Sequence, residues 1–484
     1  MTKLLKALVI YHLNMNTLSP KGYGIPKTNL SEHDLKEMKN ELTVKPFSPF
    51  ELTSNSNEYD DKQFQVFRES SNKIYVPRNY GLKKFGKAKY QFDPSQSINP
   101  VFKGTLRDYQ QAPVNAYLEC TSDDMVNSGI INIPPGFGKT VIALYIISRL
   151  KVKTLIVVHK DFLLSQWKER IEQYLGNVTV GILKQNKAET DKDIVIASLQ
   201  SIVMRGYNSK VFDGFGLQII DEAHHIAAKI FSQSFYAVNC KHILGLSATI
   251  QRKDGLTKVL KWFMGDIVCK MKAKGSSDVR VKVLHYDNPD PLYKQVPLLF
   301  NGKPNVSRLI TRVCEFKPRT QLIAREIKEI LDSDPGRNVI VLSDRRDHLN
   351  DIDMELKAFD IVDTGLYVGG MKEQNLKISE TKQILLGTFS MVAEGFDLPK
   401  LNTMILASSK SDIEQAVGRI QRQLPHERTY DPYIIDIADD LSIFGSQSKK
   451  RKDFYRKKGY SVEVIGEKKQ KIDLPRFAFT LEDE

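Results

Sequence analysis

Cysteine is scarce in this sequence, with four among 484 residues. They lie far apart and form no C-x-x-C pair: Cys120, Cys240, Cys269 and Cys314. This spacing predicts neither a zinc site nor a disulfide framework, so a reducing, cytoplasmic compartment fits the chain best. Long apolar runs are also missing. No uninterrupted stretch of about 18 apolar residues occurs, which argues against a membrane span.

The opening segment, MTKLLKALVIYHLNM, places lysines before a short apolar run. His12 interrupts that run, and no small-residue cleavage site follows it. These features differ from those of a secretory signal peptide. We therefore interpret the segment as the beginning of a strand or a helix.

Basic residues outnumber acidic ones by 71 to 58, which gives a formal net charge of +13. An excess of this sign favours a polyanionic partner, although a soluble protein with many surface lysines has the same composition. With 484 residues, of which 41% are hydrophobic, the chain can form several cores. About three domains are expected for this length.

The chain divides into stretches of different character. Residues 1–95 are polar and rich in turn-forming residues, and we predict a small accessory module there. From 96 to 275, short β-rich runs such as TLIVV and LQIID alternate with amphipathic helical stretches, and the same alternation returns from 301 to 465. Such alternation indicates a parallel sheet with helices on both faces. We predict the α/β class, with two tandem parallel-sheet domains, a linker at 276–300 and a charged tail at 466–484.

A glycine-rich loop stands between two apolar runs in INIPPGFGKTVIALYII. Gly136 and Gly138 would let the backbone take positive φ and direct its N–H groups toward phosphate oxygens. Lys139 supplies a point charge, and the Thr140 hydroxyl can ligate Mg²⁺. Ile133 stands where this motif usually begins with glycine, so the loop alone leaves a chance match open.

The run LQIIDEAHH ends a predicted buried strand with two acids. Carboxylates at the carboxyl end of a strand lie in the crevice where α/β sheets bind ligands. Asp221 is expected to hold Mg²⁺, directly or through water, and Glu222 to polarise the water that attacks the γ-phosphate. An acidic pair is common in loops, but one that follows a phosphate loop in the same sheet strongly indicates phosphoryl transfer.

An ordered series of motifs between about residues 100 and 430 resembles that of the superfamily 2 helicases and translocases of the DExH (DEAH box) type. In the first predicted domain the series is LRDYQ, IPPGFGKT, VVHKDFLLSQW, IASLQS, DEAH and SAT. In the second it is VLSDRRDHL, GTFSMVAEGFDLP and QAVGRIQR. The resemblance implies two RecA-like domains, ATP and Mg²⁺ as cofactors, and ATP-driven movement on nucleic acid.

The resemblance also implies site residues, each carried over onto a matching motif position. Nucleotide would be bound by Arg107, Gln110, Pro135, Gly136, Gly138, Lys139, Thr140, Gly395 and Asp397. Mg²⁺ would be bound by Thr140 and Asp221, and the catalytic residues would be Lys139, Glu222, Gln415, Arg419 and Arg422. Coupling would involve His224, Ser247 and Thr249. Nucleic acid would contact His159, Lys160, Ser198, Gln200, Ser343, Arg345 and Thr388.

Two of these assignments depend on local geometry. Arg419 and Arg422 are three residues apart, which would place both on one face of a helix. From the second domain they would reach the γ-phosphate only when the cleft between the domains closes. Ser198, Ser343 and Thr388 could instead cap a helix or a turn.

Within the superfamily, the sequence is most similar to members that act on DNA. These are XPB-type excision-repair helicases, phage branch-migration helicases, restriction-type translocases and the transcript-release helicases of large DNA viruses. The resemblance favours DNA over RNA, 3′-to-5′ movement and a monomer that works with transcription or replication machinery. Two alternatives stay open: a duplex DNA translocase that does not separate strands, and an RNA helicase. Lys139, Glu222 and Arg422 argue against a third, a nucleotide-gated binding module without turnover.

The basic run KKRKDFYRKK lies near the end of the chain. Contact with nucleic acid and a solvated helix face explain this run equally well.

Overall fold

The computed structural model describes residues 16–466, apart from 48–62, 123–126, 135, 206, 208, 223–227, 239, 249, 253, 272–277, 394–395, 397 and 424–426. The chain forms two compact units, Met1–Ala273 and Lys274–Glu484. The opening segment interpreted above lies outside the described residues, as does nearly all of the predicted charged tail. Among the helices that are described, none has the length and apolar character needed to cross a lipid bilayer.

The first unit begins with a small sheet of five short strands, in the order β5-β6-β2-β1-β7, and a separate pair, β3-β4. The strands are β1 (Thr17–Ser19), β2 (Gly22–Pro26), β3 (Thr43–Val44), β4 (Phe64–Gln65), β5 (Arg68–Glu69), β6 (Lys73–Val76) and β7 (Lys89–Tyr90). The helices are α1 (Glu32–Glu41) and α2 (Arg78–Phe85). Residues from this sheet share a hydrophobic core with the α/β part of the same unit.

An eight-stranded sheet forms the centre of the first unit, in the order β13-β12-β14-β10-β15-β16-β9-β17. The strands, with the pair β8-β11 beside the sheet, are β8 (Val101–Phe102), β9 (Ser128–Asn132), β10 (Thr154–Val158), β11 (Leu175–Gly176), β12 (Val180–Lys184), β13 (Lys187–Ala188), β14 (Ile194–Ser198), β15 (Leu217–Asp221), β16 (His242–Ser247) and β17 (Ile267–Lys270). The helices are α3 (Asp108–Cys120), α4 (Lys139–Leu150), α5 (Asp161–Tyr174), α6 (Leu199–Met204), α7 (Ala228–Ala237) and α8 (Thr257–Met264).

The predicted parallel arrangement is confirmed in this sheet. Its strands pair in parallel, except for the edge pair of β12 and β13. Alternate residues along one strand enter different cores: Ile156 and Val158 pack on one face, and Leu155 and Val157 on the other. Helices therefore cover both faces, as fully buried apolar runs require.

Arg78 joins the small N-terminal sheet to the larger one. Its buried guanidinium donates hydrogen bonds to the carbonyl oxygens of Cys240 and Lys241, just before β16. The next residue, Asn79, donates to the carbonyl oxygen of Phe263 at 3.1 Å. Because a buried guanidinium is costly unless it is hydrogen-bonded, these contacts fix the attachment of the module.

The second unit is built on a seven-stranded parallel sheet, in the order β20-β21-β19-β22-β23-β18-β24. The strands are β18 (Arg280–Tyr286), β19 (Val339–Ser343), β20 (Thr364–Tyr367), β21 (Ile384–Thr388), β22 (Thr403–Leu406), β23 (Tyr433–Asp439) and β24 (Ser461–Ile465). The helices are α9 (Pro291–Lys294), α10 (Val306–Glu315), α11 (Lys317–Ser333), α12 (Arg346–Lys357), α13 (Glu373–Thr381), α14 (Phe389–Ala393), α15 (Glu414–Val417) and α16 (Phe444–Lys458).

The predicted linker at 276–300 needs correction. Within it, β18 lies inside the second sheet, paired in parallel with β23 on one side and β24 on the other. Its sequence, RVKVLHY, mixes basic and apolar residues, and only three of its seven residues are buried. The strand therefore lacks the continuous apolar run that marks the inner strands β19, β21 and β22, and the second α/β unit begins before residue 301.

The basic run KKRKDFYRKK lies on α16, and one of its arginines belongs to the core. Arg451 is buried, and its Nε donates to Asp436 Oδ2 at 2.8 Å. The same carboxylate oxygen accepts from the Tyr455 hydroxyl at 3.0 Å. Arg451 therefore cannot contact nucleic acid in this fold, whereas Lys449 and Lys450 are exposed.

We expect Arg451→Met to lower the free energy of unfolding by about 3 to 5 kcal/mol, because it leaves the buried Asp436 carboxylate without its cation. Lys449→Met, two residues earlier on the exposed face, should change it by less than about 0.5 kcal/mol. Urea denaturation followed by circular dichroism compares the two variants. Equal denaturation midpoints would contradict a structural role for the buried pair.

Candidate nucleotide-binding site

Neighbouring strands of the first sheet bring three predicted motifs to one edge. Asn132, at the end of β9, pairs with Ser247 of β16, and Leu246 of β16 pairs with Asp221 of β15. The phosphate loop, the SAT segment and the acidic pair therefore leave the sheet side by side. Ligands of open parallel sheets bind at this carboxyl edge.

The phosphate loop has the predicted backbone conformation at both glycines. Gly136 has a φ of 86° and Gly138 a φ of 76°. A side chain at Gly138 would be strained by this φ, and its Cβ atom, 2.4 Å from Gln110 Nε2, would displace the glutamine from the loop. The helix α4 begins at Lys139, immediately after the loop. Pro135 lies outside the described residues.

Gln110, predicted to read an adenine base, braces the loop in this structure. Its Oε1 accepts from the backbone N–H of Arg107 at 3.0 Å, and its Nε2 donates to the carbonyl oxygen of Phe137 at 3.1 Å. The Tyr109 ring packs edge-on against Phe137, with centroids 5.3 Å apart, and its hydroxyl accepts from Arg107 Nη1 at 2.9 Å. The LRDYQ segment therefore supports the phosphate loop in two ways, through the hydrogen bond of Gln110 and through the ring packing of Tyr109.

Lys139 and the acidic pair form a compact, largely buried cluster. Lys139 Nζ lies 2.9 Å from Glu222 Oε1, and the two side chains are 14% and 16% exposed. Glu222 takes a positive φ of 49°, which is uncommon outside glycine. Its backbone N–H donates to the carbonyl oxygen of Leu246 at 3.0 Å, so the neighbouring strand holds this turn.

Asp221 is the buried member of the pair. Burial raises the pKa of its carboxyl to about 6, and the charge of Glu222 acts in the same direction. Lys139, the Trp167 indole and His159 act in the opposite direction. A buried carboxylate whose charge is only partly compensated, together with the hydroxyl of the half-buried Thr140 in the first turn of α4, is a suitable oxygen donor set for Mg²⁺.

Trp167 holds Asp221 in place, a role that the sequence did not indicate. Its Nε1 donates to Asp221 Oδ2 at 3.0 Å, and the indole is buried. The residue closes VVHKDFLLSQW, a segment predicted to contact nucleic acid. A buried tryptophan normally needs a partner for its N–H, which is the one signal that could have pointed to this contact.

Trp167→Phe should raise the Mg²⁺ concentration needed for half-maximal ATP hydrolysis by about ten-fold, because outer-shell partners of metal ligands have effects of this size. The phenylalanine ring still fills the core, but Asp221 Oδ2 loses the hydrogen bond donated by the indole. Trp262→Phe is a matched control, since Trp262 packs against Tyr80 on the N-terminal side of the unit. An unchanged Mg²⁺ dependence in Trp167→Phe would show that the indole does not serve the site.

The coupling segment is tied to the phosphate-loop strand by Asn132. Its Nδ2 donates to the carbonyl oxygens of Ser247 and Ala248, at 3.2 and 3.0 Å. The backbone N–H of Ile133 also donates to the Ser247 carbonyl, at 3.1 Å. A shift of the loop would therefore pull on the SAT segment directly. The other predicted coupling residues, His224 and Thr249, lie outside the described residues.

The predicted nucleic-acid contacts of the first unit occupy the same edge. His159 and Lys160 follow β10 and are half-buried, and Gln200 on α6 is exposed. Among several causes, the charge of His159 acts to lower the pKa of Asp221, so this residue lies near the acidic pair. Ser198 precedes α6 but makes no side-chain capping bond, and it is nearly buried.

In the second unit, the predicted contact of Ser343 in the VLSDRRDHL segment needs correction. Ser343 is fully buried, and its Oγ lies 3.0 Å from His348 Nδ1 and accepts from the Arg345 N–H at 3.1 Å. Arg345 donates through Nε to Thr311 Oγ1 and through Nη2 to the Ser307 carbonyl, both at 2.8 Å. Ser343 stabilises the turn, and Arg345 fastens it to α10. Burial excludes Ser343 from contact with nucleic acid.

Thr388, the remaining predicted contact, ends β21 half-buried, and its Oγ1 lies 3.3 Å from Ser390 Oγ. This short contact agrees with the alternative that Thr388 stabilises a turn. Gly395 and Asp397 in the same motif lie outside the described residues.

Arg419 and Arg422 do not share a regular helix. The helix α15 ends at Val417, and the next backbone bonds, from Arg419 to Ala416 and from Ile420 to Val417, span only three residues. Arg419 is buried, and its Nε donates to the Val392 carbonyl at 3.0 Å. Arg422 and Gln415 are half-buried. The predicted regular helix therefore does not extend over the two arginines, which also differ in burial.

The sequence was compared with protein families and with individual proteins. Residues 103–252 match the family described as type III restriction enzyme, res subunit. A protein of Acanthamoeba polyphaga mimivirus named as an ATP-dependent RNA helicase is 34% identical over 472 residues, which cover 94% of this chain and 88% of that protein. A protein of Escherichia phage T5 named as a helicase is 28% identical over 410 residues, covering 81% and 84%.

Solved structures show the same fold. The type ISP restriction-modification enzyme LlaBIII bound to DNA is similar over 75% of this chain and 32% of its own, with a TM-score of 0.52 and 16% identity. A fragment assigned to the HsdR subunit of a Vibrio vulnificus type I restriction enzyme covers 75% of this chain and 70% of its own, with the same TM-score and identity. From the near full-length match to the mimivirus protein, together with these RecA-like folds, we conclude that the chain belongs to the superfamily 2 helicases and is an ATP-dependent helicase.

Proposed function

We propose that this helicase hydrolyses MgATP at the carboxyl edge of its first sheet and uses the energy to move 3′-to-5′ along DNA. The observation that carries the proposal is the cluster of Lys139, Glu222 and Asp221 beside a phosphate loop with two glycines at positive φ. Fixed N–H groups, a cation and two carboxylates are the parts that phosphoryl transfer needs.

The ion pair suggests how ATP changes the site. A phosphate oxygen that reaches Lys139 competes with Glu222 for the ammonium, which lies 2.9 Å from Glu222 Oε1. The released carboxylate is then available to orient and polarise the attacking water. Asp221 and Thr140 would hold Mg²⁺, and the chemistry that the ion supplies when bound is neutralisation of phosphate charge.

For the second unit we propose separate roles for the two arginines. Arg422 is the candidate arginine finger, acting on the γ-phosphate of ATP held by the first unit. Arg419 acts as a positioning residue, because its buried guanidinium holds the backbone at Val392. Gln415, half-buried on α15, is proposed to act on the nucleotide or its water. These roles are carried by the motif resemblance and by the burial of each side chain.

DNA is proposed over RNA because the motifs are most similar to those of DNA-directed members. The second candidate is an RNA helicase, favoured by the name of the mimivirus relative. Backbone contacts alone do not separate the two, since the choice depends on whether the 2′-OH is read. Lys449 and Lys450 are proposed to extend the nucleic-acid path, and Arg451 is not.

The test is ATP hydrolysis measured without nucleic acid and with single-stranded DNA, duplex DNA or RNA. We expect the strongest stimulation by single-stranded DNA and an affinity that falls steeply with salt, because bound phosphates release counterions. Duplexes with a 3′ or a 5′ overhang then report polarity. Stimulation by RNA alone would establish the second candidate, and hydrolysis indifferent to every nucleic acid would refute the motor.

A further inference from the structure

A tight β-hairpin projects from the second unit between α9 and α10. The Leu299 N–H donates to the Lys303 carbonyl at 2.7 Å, and the Gly302 N–H donates to the Leu299 carbonyl at 2.9 Å. Leu298 pairs with Pro304, and Gly302 has a φ of 75°. This pattern is a three-residue loop closed by a glycine bulge, which gives the hairpin a defined shape.

The tip of this hairpin is apolar and faces solvent. Phe300 has 111% of the exposure expected for a phenylalanine in an extended peptide, and Leu298 and Leu299 are exposed beside it. Among the residues that the structure describes, no other large apolar side chain is so exposed. An aromatic ring held out on a rigid turn indicates a contact with a partner.

The base of the hairpin is anchored in the core. The buried Tyr293, on α9, donates its hydroxyl to Asp439 Oδ1 at 3.0 Å. That carboxylate is held by the buried Arg319 through Nε at 2.7 Å. The Asn305 N–H closes the hairpin by donating to the Pro297 carbonyl at 2.7 Å, and Asn305 Oδ1 caps α10 by accepting from the Arg308 N–H at 3.1 Å. The hairpin is therefore joined to α9 at one end and to α10 at the other.

Basic residues surround the hairpin. Lys303 lies on the hairpin itself, and Arg308 and Arg312 lie on α10. These arginines and Leu298 line a surface cavity of about 430 Å³, whose one acidic lining residue is Glu315. The cavity combines an apolar wall with two guanidinium groups and has room for a nucleotide. Such a combination fits a base next to its phosphate.

The helix α10, which follows the hairpin, is joined to the VLSDRRDHL segment. Thr311, another residue of the cavity wall, accepts the hydrogen bond from Arg345 Nε at 2.8 Å. Arg345 thus connects that segment to α10. A protein partner would need about 800 Å² of surface, far more than three side chains on a convex tip can offer. A nucleic-acid base, in contrast, can be bound by one aromatic ring with basic side chains nearby.

We propose that residues 297–304 form a strand-separating wedge, in which Phe300 stacks on the base at a duplex end and Arg308 and Arg312 hold a phosphate of the displaced strand. This inference rests on the helicase function. It extends that function by assigning the step that separates strands, for which the sequence motifs offer no residue.

The test uses the full-length protein with Phe300→Ala, Phe300→Trp and the control Ile378→Ala, which shortens another exposed apolar side chain of the second unit. The measurements are unwinding of a forked DNA duplex and ATP hydrolysis stimulated by single-stranded DNA. We expect Phe300→Ala to slow unwinding by about ten-fold. Hydrolysis should stay within about two-fold, and Phe300→Trp should unwind at nearly the parental rate, as should Ile378→Ala.

A second measurement keeps the wedge testable if the motor proposal fails. The new indole of Phe300→Trp should be quenched on binding the fork, beyond any change in the parent protein with its two tryptophans. Heparin, a polyanion without bases, should not quench it. Parental unwinding by Phe300→Ala, equal losses of unwinding and hydrolysis, or no quenching by the fork would each overturn the proposal. Hydrolysis without nucleic-acid stimulation would instead refute the motor.

Discussion

Glu222→Gln is expected to lower the maximal rate of ATP hydrolysis by about 10²- to 10³-fold, a loss of about 3 to 4 kcal/mol of transition-state stabilisation. Glutamine keeps the size of the side chain but cannot polarise water as a carboxylate does. ATP binding should stay within about two-fold of the parent, because Lys139 and the loop N–H groups remain. Removing the Glu222 charge also removes a cause that raises the pKa of Asp221, so Mg²⁺ binding should not suffer.

Steady-state hydrolysis and titration with a fluorescent ATP analogue separate the two effects. Glu172→Gln is the matched control, since Glu172 is an exposed glutamate on α5 of the same unit, 3.8 Å from Lys168. It should hydrolyse ATP at the parental rate. If Glu222→Gln did so too, the water-orienting role would have to be assigned to another residue.

Arg422→Ala is expected to reduce nucleic-acid-stimulated hydrolysis by about 10³-fold, the lower limit for the loss of an arginine finger. Nucleotide binding by the first unit should persist, because the loop and Lys139 are unchanged. Arg422→Lys should not restore the rate, since an ammonium lacks the planar fork that engages two phosphate oxygens. If Arg422→Ala hydrolysed ATP with the parental stimulation by nucleic acid, the proposal of a motor that needs both units would be refuted.

Arg419→Ala distinguishes a finger from a positioning residue. Arg419 is buried and donates to the Val392 carbonyl, so its loss should lower thermal stability together with activity. Arg422 is half-buried, so Arg422→Ala should lower the hydrolysis rate and leave the melting temperature of the protein nearly unchanged. Thermal denaturation measured beside the hydrolysis rate shows which residue belongs to which class.

The strands that the sequence predicted well are those in which every residue is buried. TLIVV and LQIID coincide with β10 and β15, because strands covered on both faces must be apolar throughout. The strand β18 was missed for the opposite reason, since its exposed and basic positions hide the apolar ones. Prediction from apolar runs therefore finds the centre of each sheet more easily than its margins.

Arg451 shows that a signal in the sequence was overlooked. Ser448, just before the basic run, and Arg451 and Tyr455 within it are buried and spaced at helical intervals, whereas Lys449 and Lys450 are exposed. A periodicity of this kind marks an inward face even when one member carries a charge. The run was interpreted as one basic patch, although its residues point in different directions.

Other parts of the site could not be predicted from one sequence. Trp167 and Asp221 are 54 positions apart, and Asn132 and the Ser247 carbonyl are 115 apart. Motifs indicate which loops meet at the edge of a parallel sheet, but not which side chains bond across it. The same limit explains why the sequence did not indicate the hydrogen bond of Gln110 to the phosphate loop or the contact of the buried Ser343 with His348.

The attachment of the N-terminal module through Arg78 has a consequence for how the chain folds during synthesis. The carbonyl groups that accept hydrogen bonds from Arg78 and Asn79 lie 162 to 184 positions later in the chain. At about 5–20 residues per second, the ribosome needs on the order of ten seconds or more to supply them. Until then the guanidinium has no place to be buried, and the apolar face that the module shares with the larger sheet stays uncovered. We infer that the N-terminal module completes its fold only together with the first α/β domain, which supplies these carbonyl acceptors.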